Sequence, residues 1–164
     1  MDLQSLVAVA EIASALAVTL TLVVLVVSIR QNTKAQRVLA VETLTAAIAA
    51  INVPAMENPA LGSALSKAMK DWKSASRDER IIAHFFLFSY FKLVETAWYQ
   101  QKAGTLEPTQ WLGWENLIRL YYHSPGVRDV WWPARGHAYS PAFQKYLSQS
   151  QPPADVGALS DIFD

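Results

Sequence analysis

Eighteen consecutive residues without a charge, Ile12 to Ile29 in "EIASALAVTLTLVVLVVSIRQNTKAQR", constrain the fold of this chain more than any other feature. That length meets the threshold for a membrane-spanning helix. Extended back to Leu3, the run is interrupted only by Glu11 and a few hydroxyl or amide side chains. Core helices of soluble domains are rarely apolar for so long. A cleaved secretory signal fits poorly, because "MDLQ" supplies no cation before the run and "SIRQNTK" offers no small-residue cleavage site after it. The expectation is an uncleaved anchor in a lipid bilayer.

Charge placement gives that anchor a direction. The chain has 14 Lys and Arg against 14 Asp and Glu, and every cation lies beyond Ile29. Arg30, Lys34 and Arg37 come directly after the span, so the positive-inside rule places the long C-terminal part in the cytoplasm and the short head outside. This asymmetry points to topology, with no nucleic-acid partner. Absence of Cys removes disulfides and thiolate chemistry and suits a domain facing a reducing compartment.

No Pro or Gly occurs before Pro54, so nothing breaks the helix where it leaves the bilayer. A single rod over 3–52 is expected, its part beyond Ile29 projecting roughly 30 Å at 1.5 Å per residue. After Pro54, Asn58-Pro59, Ser124-Pro125 and Ser140-Pro141 each set a capping side chain before Pro at a first helical position, and Ser76 to Glu79 reads as a capping box. These starts predict helices over 59–74, 77–102, 108–122, 125–132 and 141–148, with Gly104 ending the second and Pro133 ending the fourth. Leu61, Leu65, Ala68, Met69 and Trp72 form an apolar stripe opposite Lys67, Lys70 and Lys73. "IIAHFFLFSYF" reads as a central bundle helix, apolar nearly all round, and the six Trp residues supply bulky packing. The fold class is all-α: an N-terminal single transmembrane helix continuing into a rod (1–53), a cytosolic helical bundle (54–148) and a flexible acidic tail (149–164) with an apolar hook at Leu159, Ile162 and Phe163.

Chemical signatures are sparse. No HExxH, paired-Cys or acid-x-x-His spacing suggests a metal, and no Walker loop, GxGxxG or GxSxG suggests a nucleotide or a hydrolase. His84 and Glu95 return to one helical face but stand about 16 Å apart along the axis, too far for an acid–base pair. His84 reads as a core histidine, and His123 and His137 as surface residues flanking "SPGVRDVWWP". No catalytic site, cofactor or metal is expected, and the chain does not read as an enzyme.

Glu11 with "TLTLVVLVVSIRQNT", "SPGVRDVWW" and "SPAFQKYL" together resembles a widespread group of uncharacterised small bacterial membrane proteins, most specifically in the "IRQNT" exit motif. The resemblance runs to about Leu147. It implies a single N-terminal span in the bacterial inner membrane, a short acid-bearing head and a cytosolic helical region, with no assigned activity, cofactor or catalytic residue.

A seven-residue repeat places Gln4, Glu11, Ser14, Thr21, Ser28 and Asn32 on one seam of the anchor. Of seven polar residues between Gln4 and Ile29, five lie on it. Hydroxyls also occur in membrane helices because they satisfy their own backbone carbonyls, so ordinary composition competes with a self-association surface. Three readings remain open. The first is a homo-oligomeric membrane scaffold joined through the N-terminal helix, whose cytosolic bundle binds a protein partner. The second is a small homo-oligomeric pore with Glu11 in its lining, and the third a membrane-tethered enzyme or ligand binder. The scaffold asks least of the residues.

Overall fold

Strong helix formers and the lack of any early Pro or Gly carry α1 without interruption over Leu3–Glu57 in the computed structural model, which describes residues 2–153. Pro54 does not end this helix. It sits one turn from the C-terminus, where the chain continues helical and the Asn58 N–H donates to the Pro54 carbonyl at 3.0 Å. The proline removes one backbone bond within α1, and the helix absorbs that loss close to its end.

The chain divides into two compact units, Met1–Leu39 and Ala40–Asp164, with the boundary inside α1. The first is a bare helix. Every described side chain from Asp2 to Leu39 is exposed. The 149–164 tail lies largely outside the described residues, and its hook at Leu159, Ile162 and Phe163 entirely so.

The second unit begins with the last turns of α1, where Ala40 and Leu44 are buried, Leu44 in its core. It continues through α2 (Pro59–Lys70), α3 (Arg77–Lys102), α4 (Pro108–His123), α5 (Trp132–Arg135) and α6 (Pro141–Ser148). No strand occurs among the described residues. Helix α3 is the centre. Its Ala83, Leu87, Tyr90, Phe91, Val94, Ala97 and Trp98 are buried against residues of α2, α4 and α6. The apolar stripe of α2 is used as its spacing suggests, with Leu65, Ala68 and Met69 buried and Lys67 and Lys70 outside, but the helix stops at Lys70, short of 74.

Local chemistry explains most of the boundaries. Asn58 Oδ1 accepts from the Ala60 N–H at 3.1 Å, and Ser76 and Glu79 complete a reciprocal capping box. Helix α3 ends in a Schellman arrangement, with Thr105 N–H to Gln100 O at 2.9 Å and Gly104 N–H to Gln101 O at 3.1 Å. Its Gly104 sits at φ +74°, a region disfavoured for residues with a Cβ. Ser140 caps α6 through Phe143 N–H. Ser124 behaves differently from its two counterparts: its hydroxyl donates back to Leu120 O instead of capping forward.

The largest departure from expectation is at "VRDVWWP". The helical path that starts at Pro125 does not stop at Pro133 but passes through a π turn, Val127–Trp131, into α5. Within it the Trp132 N–H reaches back five residues to Val127 O. The wider turn relieves the contact a proline ring makes with the preceding turn, and Pro133 falls in the first turn of α5, where its missing N–H is tolerated. One consequence is that Trp131 and Trp132 both pack inward, Trp131 buried against Phe91 and Trp132 stacked on Tyr139.

Candidate functional site

The residues singled out in the anchor all lie on α1, and Glu11, Ser14, Thr21, Ser28, Asn32, Arg30, Lys34 and Arg37 are all exposed. Their hydrogen bonding separates them into two kinds. Ser14 Oγ donates to Ala10 O and Thr21 Oγ1 to Ala17 O, both at 2.8 Å, as Thr19 does to Ala15 O. These hydroxyls are satisfied within their own helix and need no neighbour. Glu11 cannot be satisfied that way. A carboxylate only accepts, and the preceding turn presents carbonyls, which also only accept. Asn32 can donate to that turn but retains an acceptor oxygen.

The second unit holds a site that the sequence pattern alone does not assemble. The N-terminal half of α3 presents Arg77, Arg80, Ile81, His84 and Phe85 at i, i+3, i+4, i+7 and i+8, the spacing of one helical face. Opposite, the π turn and α5 present Val130, Trp131, Ala134 and Arg135, again at steps of four. With Trp72 these residues enclose an open groove of about 520 Å³. Phe85 is 65% exposed and Ile81 41%, so the segment expected to be apolar all round buries one side only.

The groove is built on a short polar link. Trp131 Nε1–H donates to His84 Nδ1 at 3.1 Å, which leaves Nε2 to carry the proton of the neutral ring. Burial, and after it the positive charge of Arg135, hold the His84 pKa below the usual histidine value. Among the described residues no carboxylate lines the groove. The nearest acid in sequence with a defined role, Glu79, is committed to Lys67 at 2.9 Å and to the Ser76 N–H. Among the described residues none of Arg77, Arg80 and Arg135 is held in an ion pair. The arrangement offers three guanidiniums and a ring N–H beside an aromatic and aliphatic floor.

Two other polar clusters are structural. Glu95, 9% exposed, accepts from the Ser140 N–H at 2.7 Å and from Lys92 Nζ at 3.0 Å. Lys92 in turn donates to Ala138 O at 2.6 Å and lies 4.4 Å from the centre of the Tyr139 ring. This network pins the turn before α6 onto α3. His84 and Glu95 therefore serve separate networks. His123 Nε2 lies 3.0 Å from Ser150 Oγ, and His137 is exposed. Among the described residues no cluster of three His, Asp or Glu side chains could hold a metal ion.

The signal for the groove is present in the sequence as two helical stripes, 77/80/81/84/85 and 130/131/134/135. Joining them requires the path through Pro133. No family model, curated protein or solved structure matches the chain.

Proposed function

We propose that this chain is a single-span protein of the bacterial inner membrane that holds a helical interaction unit at the cytoplasmic face and self-associates through α1. One observation carries the reading. An 18-residue window of α1 has mean hydropathy 2.6 and none of it is buried by the rest of the chain. Leaving exposed side chains such as Leu16, Leu20, Leu22 and Leu25 in water forfeits roughly 1.5–3 kcal/mol each. Summed over the window, that exceeds the roughly 5–15 kcal/mol by which a whole domain is stable. A bilayer covers such a surface without any further protein, and the Arg30, Lys34 and Arg37 cluster supports a cytoplasmic location for the unit beyond it.

Self-association rests on Glu11 and Asn32, which their own helix does not satisfy, whereas the Ser14 and Thr21 hydroxyls are satisfied within α1. Glu11 borders the apolar span, where an interhelical hydrogen bond contributes about 0.5–2 kcal/mol, while Asn32, beyond Arg30 at the membrane exit, adds less because water reaches it. Native mass spectrometry or mass photometry of the full chain in nanodiscs tests this. A defined oligomer is expected for the wild type, with fewer subunits for the Glu11→Leu, Asn32→Leu double variant. A monomeric wild type contradicts it.

A further inference from the structure

We propose that the groove between the first half of α3 and the π turn–α5 segment binds a single-chain anionic amphiphile, a molecule with one oxyanion head and an apolar body, taken up as a free molecule. The inference is independent of self-association through α1, since every groove residue belongs to the second unit.

Three properties select this ligand class. The first is size: about 520 Å³ lies within the range of small-molecule clefts, about 300–1,000 Å³. The second is polarity. Trp72, Phe85, Val130 and Trp131 give the floor an apolar character that a hydrophilic anion such as inorganic phosphate would leave unused. The third is charge, because Arg77, Arg80 and Arg135 line the groove and no carboxylate among the described residues does. Guanidiniums present paired donors that match a carboxylate or phosphate head. His84 adds a donor whose orientation is set by the Trp131 indole. A neutral apolar ligand would leave three cations without a role, and a cationic one would be repelled. A flat bilayer surface would meet the protruding Phe85 but leave the volume between the two walls unfilled.

Arg135 is exposed and Arg80 half-buried, and neither belongs to the hydrophobic core, so the test need not confuse binding with folding. All six Trp residues lie beyond α1, two of them in the groove, and α1 itself contains none. A dibrominated C18 fatty acid quenches indole fluorescence only on contact. It would be titrated into the full chain in nanodiscs of zwitterionic lipid, beside its methyl ester, a dodecyl phosphate competitor and inorganic phosphate. We expect saturable quenching by the acid, at least tenfold weaker for the methyl ester. Dodecyl phosphate should displace the acid and inorganic phosphate should not. The Arg80→Gln, Arg135→Gln double variant should bind at least tenfold more weakly with an unchanged circular dichroism melt. Equal quenching by acid and ester, or by wild type and double variant, overturns the proposal. Quenching that appears only when brominated anionic phospholipid is built into the disc assigns the surface to bilayer docking and overturns it as well.

Discussion

Trp131 and His84, 47 residues apart in sequence, meet through a 3.1 Å hydrogen bond from the indole N–H to the imidazole Nδ1. The bond joins the π turn to the central helix and fixes the ring that lines the groove. It requires an unprotonated Nδ1, which agrees with the lowered His84 pKa caused by burial and then by Arg135.

The sign of the resulting pH dependence comes from proton counting. With the folded pKa below the ordinary 6.5, the unfolded chain binds more protons in mildly acid solution, so the His84 contribution is complete above about pH 6.5 and declines as pH falls below it. His123, lowered mainly by burial, acts in the same direction. NMR titration of ring-labelled histidines in the full chain should give a His84 midpoint under 6.5. A midpoint at or above 6.5 contradicts the Trp131 contact.

Glu95 shows the opposite residue type with the same slope. Burial raises its pKa, but the Ser140 N–H and Lys92 outweigh burial and leave it below the ordinary 4.5. Its contribution is therefore present above about pH 4.5 and lost as pH falls through the folded value. Replacing Glu95 by Gln should cost about 1.5–3 kcal/mol at pH 7, the range for hydrogen bonds to charged groups. Denaturant midpoints of wild type and variant should converge as pH falls below the folded Glu95 pKa. A gap that persists at low pH would assign the loss to packing alone.

Gly126 and Gly113 make a paired test of the close approach that seats the π turn. A Cβ on Gly126 would overlap the Ala68 carbonyl oxygen and stand 2.9 Å from that of Met69, and backbone atoms there cannot swing aside. Gly126→Ala should therefore destabilise by about 1–3 kcal/mol, as overpacking does. A Cβ on Gly113, inside α4, meets nothing within 4 Å, so Gly113→Ala should be neutral or gain up to about 1 kcal/mol from helix propensity. Equal effects at the two positions would refute the close packing of Gly126 on α2.

Much of the second unit is legible in the sequence because its signals are local. Capping residues and Gly104 mark the bounds of α3, and Ser140-Pro141 the start of α6, at the residues where the structure has them. The features that escape depend on distant context. Pro54 and Pro133 read as breaks, yet one lies near a helix end and the other comes after a π turn, circumstances that a local rule for proline does not contain. Ser124 carries the same Ser-Pro pair as Ser140 but bonds backward to Leu120. Composition alone makes Ile81 to Phe91 a central bundle helix, apolar nearly all round. The exposed Phe85 emerges only once the opposite wall of the groove is known.

Glu11 separates a scaffold from a conduit. Reconstituted into liposomes, the wild type should pass neither protons nor potassium above empty vesicles between pH 5 and 8. Glu11→Gln, which keeps an acceptor oxygen, should retain the subunit count. Cation flux in the wild type that Glu11→Gln abolishes would establish a pore lined by that acid.

Helix α1 is proposed to cross the membrane with the unit from Ala40 onward in the cytoplasm, and protease protection in sealed cells reads that topology. Bacterial cells expressing the full chain, with one epitope before Asp2 and another after Asp164, would be treated with external protease after the outer membrane is opened. The first epitope should be lost, the second should survive, and the chain should stay in the membrane after an alkaline carbonate wash. Cleavage of the second epitope in sealed cells, or release of the chain by the wash, would contradict it.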